Sequence, residues 1–184
     1  MEKTLDETSL RTAMRRLWSD HVIWTRQYIV AAVAGAPDAE AAAARLLRNQ
    51  EDIGNAVAGF CGQDAGDALT ALLKGHITIA VDLVEAAKNG NEVLFGIRDR
   101  QWTRNGKDIA TFLSKANPYW PRKDVLDLIE LHLDLTKREA VARLQADWEA
   151  DVATFDEIFA EILTLADALS EGIVRQFSDP ALAS

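Results

Sequence analysis

A single cysteine, Cys61, leaves this chain unable to form an intramolecular disulfide, and no basic neighbour is present to stabilise its thiolate. That excludes a disulfide-stapled scaffold, argues against a nucleophilic thiol and points to a reducing, cytoplasmic setting. Proline is scarce, with four in 184 residues, so long stretches are free to be helical. Crossing a bilayer takes roughly 20 consecutive apolar residues, and the longest apolar run here is only Tyr28 to Ala34. The amino-terminal MEKTLDETSL carries acids where a signal peptide needs an apolar stretch. Positive charge is in deficit: 20 Lys and Arg against 29 Asp and Glu give a net charge of -9, an acidic protein. Such a surface repels phosphate backbones and anionic headgroups, so neither nucleic acid nor a membrane is an expected partner. There is no period-two strand pattern, no repeat, no Gly-x-Gly-x-x-Gly and no Walker loop. Without a sheet, the usual nucleotide-binding folds are excluded.

What remains is helix. With 48% hydrophobic residues, the chain is long enough to bury one core, and residues 1–184 read as a single all-α domain. The first helix is expected from about Thr8 to Ala34, with Leu10, Met14, Leu17, His21, Trp24, Tyr28 and Ala31 on one face. Gly35-Ala36-Pro37 ends it, and Asp38 is positioned to cap a second helix over Ala39 to Phe60. Asp64 is a cap candidate for a third, which runs to Lys88 before the Asn89-Gly90 turn. A fourth spans about Asn91 to Lys115, with Gly106 weakening its middle. Asn117-Pro118-Tyr119-Trp120-Pro121 is a break, followed by a fifth helix from Arg122 to Asp134. Thr136 with Glu139 has the spacing of a capping box, so a last helix is expected to start there and run to Phe177, closed by Ser178-Asp179-Pro180. Its heptad reads Val141, Leu144, Trp148, Asp151, Phe155, Ile158, Ile162, Leu165, Leu169. Long helices with short connections lie side by side, giving an antiparallel up-and-down bundle of about five to six helices.

The chemistry lies in what interrupts the apolar faces. His21, Asn49, His76, Asn105, His132 and Asp151 fall on core stripes, where an unpartnered polar group costs roughly 2 kcal/mol or more. His21, Asn49, His76 and Asn105 each stand roughly 16 to 21 Å into their helices at 1.5 Å per residue, a common layer in an up-and-down bundle. Asp151 can join them; His132 fits less well, lying close to the break expected at Thr136. Imidazoles from separate helices with a carboxylate suit a transition metal such as zinc, iron, manganese or copper. His21, His76, His132 and Asp151 are therefore the candidate ligands, with Asp20 and Asp147 as acids that would orient the rings. Neither the paired Glu-x-x-His of di-iron bundles nor His-Glu-x-x-His is present. A second reading is a non-catalytic interaction or sensor bundle whose buried layer only sets helix register, able to form a homodimer through spare apolar surface. A third is a small-molecule binder with a cavity walled by Trp24, Tyr28 and Trp148. No particular enzyme activity follows from the residues.

Four stretches carry a resemblance that spans nearly the whole chain: Leu17 to Arg26 (LWSDHVIWTR), His132 to Thr136 (HLDLT), Asp147 to Asp151 (DWEAD) and Glu171 to Phe177 (EGIVRQF). They are similar to a family of small uncharacterised all-helical proteins of bacteria and archaea, whose members sometimes carry glycosyltransferase or acetylglutamate kinase labels. Those enzymes rest on α/β nucleotide-binding sheets, which this sequence does not encode. The resemblance implies the helical architecture and no activity.

Overall fold

Six helices follow one another with short connections in the computed structural model, which describes residues 6–178: α1 (Glu7–Ala34), α2 (Ala39–Cys61), α3 (Gln63–Lys88), α4 (Glu92–Ala116), α5 (Arg122–Leu144) and α6 (Trp148–Ser178). No strand occurs among the described residues. Sequential neighbours pack together, α6 closes back onto α1, and α1 also meets α3 and α5. The three odd-numbered helices thus face one another along the axis of a closed antiparallel bundle. Asp179 and Pro180 of the expected closing signal lie outside the described residues, as does the start of the amino-terminal segment.

Local chemistry sets most of the boundaries. Asp6 caps α1, its carboxylate accepting from the N–H groups of Thr8 and Ser9 at 3.1 and 3.2 Å. Gly35 ends α1 in the left-handed conformation, φ 66°. The two aspartates expected as caps do not serve. Asp38 has φ -91°, ψ 0° and no capping hydrogen bond; it lacks the extended backbone that aims a cap side chain at the free N–H groups. Asp64 falls inside the first turn of α3, because only Gly62 separates α2 from α3. Asn91 does cap α4, accepting from the Leu94 N–H at 3.0 Å. Helix α4 runs unbroken through Gly106. A β-carbon there would stand 3.0 Å from Ile129 Cγ2, so the glycine lets α5 approach closely.

The largest departure from expectation is at Thr136. Helix α5 runs through it without a break to Leu144. The Thr136 hydroxyl donates to the His132 carbonyl at 2.8 Å, one turn back, instead of capping. Glu139 is drawn away to Arg26 on α1. A capping box needs both side chains turned onto the backbone, and tertiary partners took them. The true break is Gln145-Ala146-Asp147, where Ala146 adopts φ 58° and Asp147 caps α6, accepting from the Ala150 N–H at 3.1 Å. Val141 and Trp148 therefore sit on either side of a turn, and both are exposed instead of sharing the core heptad. A left-handed residue with a β-carbon costs roughly 1–2 kcal/mol. Ala146→Gly is accordingly expected to stabilise the fold by about 1 kcal/mol and to raise Tm by about 2–4 °C, as read by thermal denaturation; an unchanged or lower Tm would contradict this account of the turn.

The main core runs through Met14, Ile53, Leu73, Ile109, Ile129, Ile162 and Leu169. A smaller cluster of Tyr28, Ile29, Ala32, Ala42, Val84 and Ala140 fills the other end. The polar layer lies between them.

Candidate functional site

Each odd-numbered helix carries one histidine near its middle, and the bundle brings the three together. The His21 and His132 ring centres are 5.5 Å apart, and those of His76 and His132 are 6.5 Å apart. All three are buried, at 2, 5 and 6% exposure for His21, His76 and His132. His132 joins the others because α5 is continuous, which puts it at mid-helix instead of beside a turn.

A positional repeat organises the layer. His21, His76 and His132 fall at intervals of 55 and 56 residues, one for each pair of consecutive helices. In each pair the Nδ1 atom contacts a polar side chain on the following helix 29 residues later: Gln50 for His21 (3.2 Å), Asn105 for His76 (2.7 Å) and Glu161 for His132 (3.1 Å). Asn105 also donates its amide to the Leu72 carbonyl at 3.1 Å, and Asn49 donates to the Leu17 carbonyl at 2.9 Å. Leu17 and Leu72 each precede their histidine by one turn. The chain is thus three helical hairpins with matching polar positions, a repeat of position that leaves little trace in residue identity.

These contacts set the tautomers. The Asn105 amide nitrogen is spent on Leu72, so its Oδ1 accepts the His76 Nδ1–H, and the Glu161 carboxylate likewise accepts from His132. The neutral His76 ring then carries a lone pair on Nε2. His21 differs, because the Gln50 amide N–H donates to its Nδ1 and leaves the His21 proton on Nε2. Gln50 Nε2 also lies within 2.8 Å of the Leu46 carbonyl and 3.1 Å of Asn49 Oδ1, three acceptors for two hydrogens. Its Oε1 is buried without a partner, as are Glu161 Oε1 and the indole nitrogens of Trp18 and Trp102. Trp18 meets the edge of the His21 ring at 5.6 Å, and Trp102 stacks on His76 at 5.0 Å. Four unsatisfied polar atoms around one layer are a concentration that calls for an explanation.

Burial holds the His21 and His76 rings neutral. It pushes His21 well below the usual histidine range, with repulsion from His132 and His76 adding to it. His76 is lowered to about 3 by burial first and His132 second, against the hydrogen bond to Asn105. Two small apolar cavities of about 30 Å³ each flank the rings, and all three histidines line both. One lies toward Tyr28, Ile29, Val84 and Ala140. The other lies toward Trp18, Leu73, Ile109 and Ile129.

Asp151 is buried but stands elsewhere. It precedes Glu161 by ten residues of α6, about 15 Å along the axis at 1.5 Å per residue. Its oxygens are taken by Arg26 (2.8 and 3.1 Å) and Arg143 (3.1 Å). Arg26 also binds Glu139, which burial raises to about 7 despite that pairing. Asp20 pairs with Arg45 at 3.6 Å and Asp147 caps α6, so neither orients an imidazole. Tyr28 lines the cavity shared with Ile29 and Val84, whereas Trp24 lies under Arg45 and Trp148, 54% exposed, lies under Arg143. The three aromatic residues do not enclose a common cavity. The residues that sequence reasoning missed are Gln50 and Glu161; the interval of 29 from each histidine, shared with Asn105, was the signal. Among the described residues, no group of three or more His, Cys, Asp or Glu side chains is placed so that it could hold a metal ion.

No family model matches the chain, and no curated protein or solved structure is similar to it. No described helix is long and apolar enough to cross a membrane.

Proposed function

We propose that the bundle binds a transition metal ion through Nε2 of His21, His76 and His132. The observation that carries this reading is the convergence of three buried imidazoles, each contacted at Nδ1 by a polar group on the next helix. Metal-ligating histidines have their other ring nitrogen held in this way, which fixes ring orientation. Three imidazoles on a tetrahedral ion, with nitrogens 2.0–2.1 Å from it, place their ring centres about 5 Å apart. The separations of 5.5 and 6.5 Å close to that value with a shift of roughly an ångström, and the flanking cavities give the rings room. His76 presents its lone pair as it stands, and His132 would present one from the tautomer that donates its Nδ1–H to Glu161. For His21 to ligate, its proton moves from Nε2 to Nδ1 and the Gln50 amide flips, so that the carbonyl oxygen, the unpartnered atom of that amide, accepts the new Nδ1–H. Glu161, bound to Nδ1 of His132, orients that ring, the role sequence reasoning gave to Asp20 and Asp147. The acidic surface and the lone cysteine favour a cytoplasmic protein that works away from nucleic acid.

Zinc, iron, manganese and copper all accept such nitrogen ligands, and three protein ligands leave one position open. The test is elemental analysis of protein purified without a polyhistidine tag. About one equivalent of metal is expected, with a fall in Tm after chelation. Metal well below one equivalent, with Tm unmoved by chelator, would instead leave the histidines as a hydrogen-bonded layer that sets helix register.

A further inference from the structure

We infer that the buried cluster of Arg26, Glu139, Arg143 and Asp151 is a proton-controlled latch on the end of the bundle at the α5–α6 turn. It is shut while Glu139 carries a proton and loosens when Glu139 ionises. The inference is independent of the metal-binding reading above.

The cluster ties three helices together. Glu139 on α5 and Asp151 on α6 are each 1% exposed, and both bind Nη1 of Arg26 on α1. Asp151 is the better supported of the two. It takes both terminal nitrogens of Arg26, at 2.8 and 3.1 Å, and Nη1 of Arg143 at 3.1 Å. Glu139 has Arg26 alone. Two carboxylates gathered at one guanidinium nitrogen repel each other, and the less supported one keeps its proton longer.

The charges around Glu139 act in the same sense. Burial raises it to about 7 against the pull of Arg26, with Asp151 adding to the rise and His132 opposing it. On its own helix, His132 lies two turns before it and Arg143 one turn after. Helix α4 meets this stretch of α5 through Asp99, which holds Lys137 at 3.0 Å. Once ionised, Glu139 gains by meeting water, and the turn beside it is the part of the fold suited to let water in. Asp151 stands in the first turn of α6. The connection before it holds Ala146 at φ 58°, a backbone that a β-carbon disfavours. Lifting that turn parts Asp151 from Arg26 and Arg143 and uncovers Glu139. In the lifted form the carboxyl titrates in its ordinary range, so rising pH favours opening wherever only the shut form still holds the proton.

The experiment is amide hydrogen exchange on the full chain in the presence of a chelator, read over residues 148–155 and divided by the intrinsic exchange rate at each pH. A carboxyl that moves from about 7 when shut to its ordinary 4.5 when open makes the opening equilibrium rise about tenfold from pH 6 to 8 and level off above that. Glu139→Gln keeps the shape of the protonated side chain and should make the same region's protection independent of pH. The carboxyl carbon shift of Glu139, followed by nuclear magnetic resonance in wild-type protein, should titrate with a midpoint near 7. Three results would each overturn the inference: wild-type protection that is constant from pH 6 to 8, a pH dependence that survives in Glu139→Gln, or a Glu139 midpoint near 4.5.

Discussion

Replacing His132 by glutamine is expected to weaken zinc binding by roughly 10²–10³-fold while leaving a folded, helical apo-protein. Structural zinc sites with four ligands bind with about 10–16 kcal/mol, so one ligand carries about 3–4 kcal/mol. His132 is the sharpest choice because its ring lies against both others, at 5.5 and 6.5 Å. Glutamine is close to histidine in size, so the core around Leu133 and Ile162 stays filled. Competition titration against a chelator of known affinity gives the zinc constant, and circular dichroism reports the fold. The rival account of the layer, helix register alone, requires a different outcome. Under it, His132→Gln lowers stability by a few kcal/mol through the loss of the Glu161 contact and leaves no zinc affinity to lose.

Acid should destabilise the protein through the same rings. The folded-state pKa of His76 is depressed to about 3, while the unfolded chain titrates near 6.5. The stability His76 contributes is fully present above pH 6.5 and is lost as pH falls toward 3, because only the unfolded chain takes up the proton. The slope is roughly 1.4 kcal/mol per pH unit for one such group, and His21, shifted in the same direction, steepens it. By pH 4 the His76 contribution alone is on the order of 3 kcal/mol, a large part of a typical domain's stability. Glu139 works in the opposite sense. Its folded pKa is raised to about 7, so its contribution is present below about pH 4.5 and is lost as pH rises through 7. Between pH 7 and 4.5 Glu139 offsets only one of the two histidines, so the net loss should begin gently there and steepen below pH 4.5. Urea titrations from pH 7 to 3.5 should show this shape. His76→Leu should flatten the acid limb, and Glu139→Gln should remove the compensation above pH 4.5. An acid limb equally steep in wild-type protein and His76→Leu would contradict neutral burial of the ring.

The helical faces were legible because burial follows the 3.6-residue period. Leu10, Met14 and Tyr28 on α1, and Ile158 to Leu169 on α6, are buried where that period puts them. The polar layer was legible for the same reason, since His21, Asn49 and His76 interrupt those faces at similar depth. The boundary near Thr136 was not, because a capping box and an ordinary helical turn share the same residues until tertiary partners decide. Here Arg26 on α1 captured Glu139. The turn at Ala146 carries no glycine or proline, so nothing in its composition marked it. Asp151 was rightly expected to be buried and wrongly given histidines as neighbours. Its true partners, Arg26 and Arg143, come from α1 and α5, and helix periodicity says nothing about which residues meet between helices. Glu161 reads as one more acid on a solvated face until α5 is drawn as a single helix, which brings His132 level with it.

Cobalt(II) titration of the metal-free, tagless protein tests the shared histidine site most directly, because the visible spectrum of cobalt reports both ligand geometry and stoichiometry. The intense absorption of tetrahedral, nitrogen-ligated cobalt should grow to one equivalent, vanish on adding zinc, and be absent in the His21→Gln, His76→Gln, His132→Gln triple variant. A pale, octahedral spectrum that is the same in wild-type and triple-variant protein would show that the three rings hold no ion.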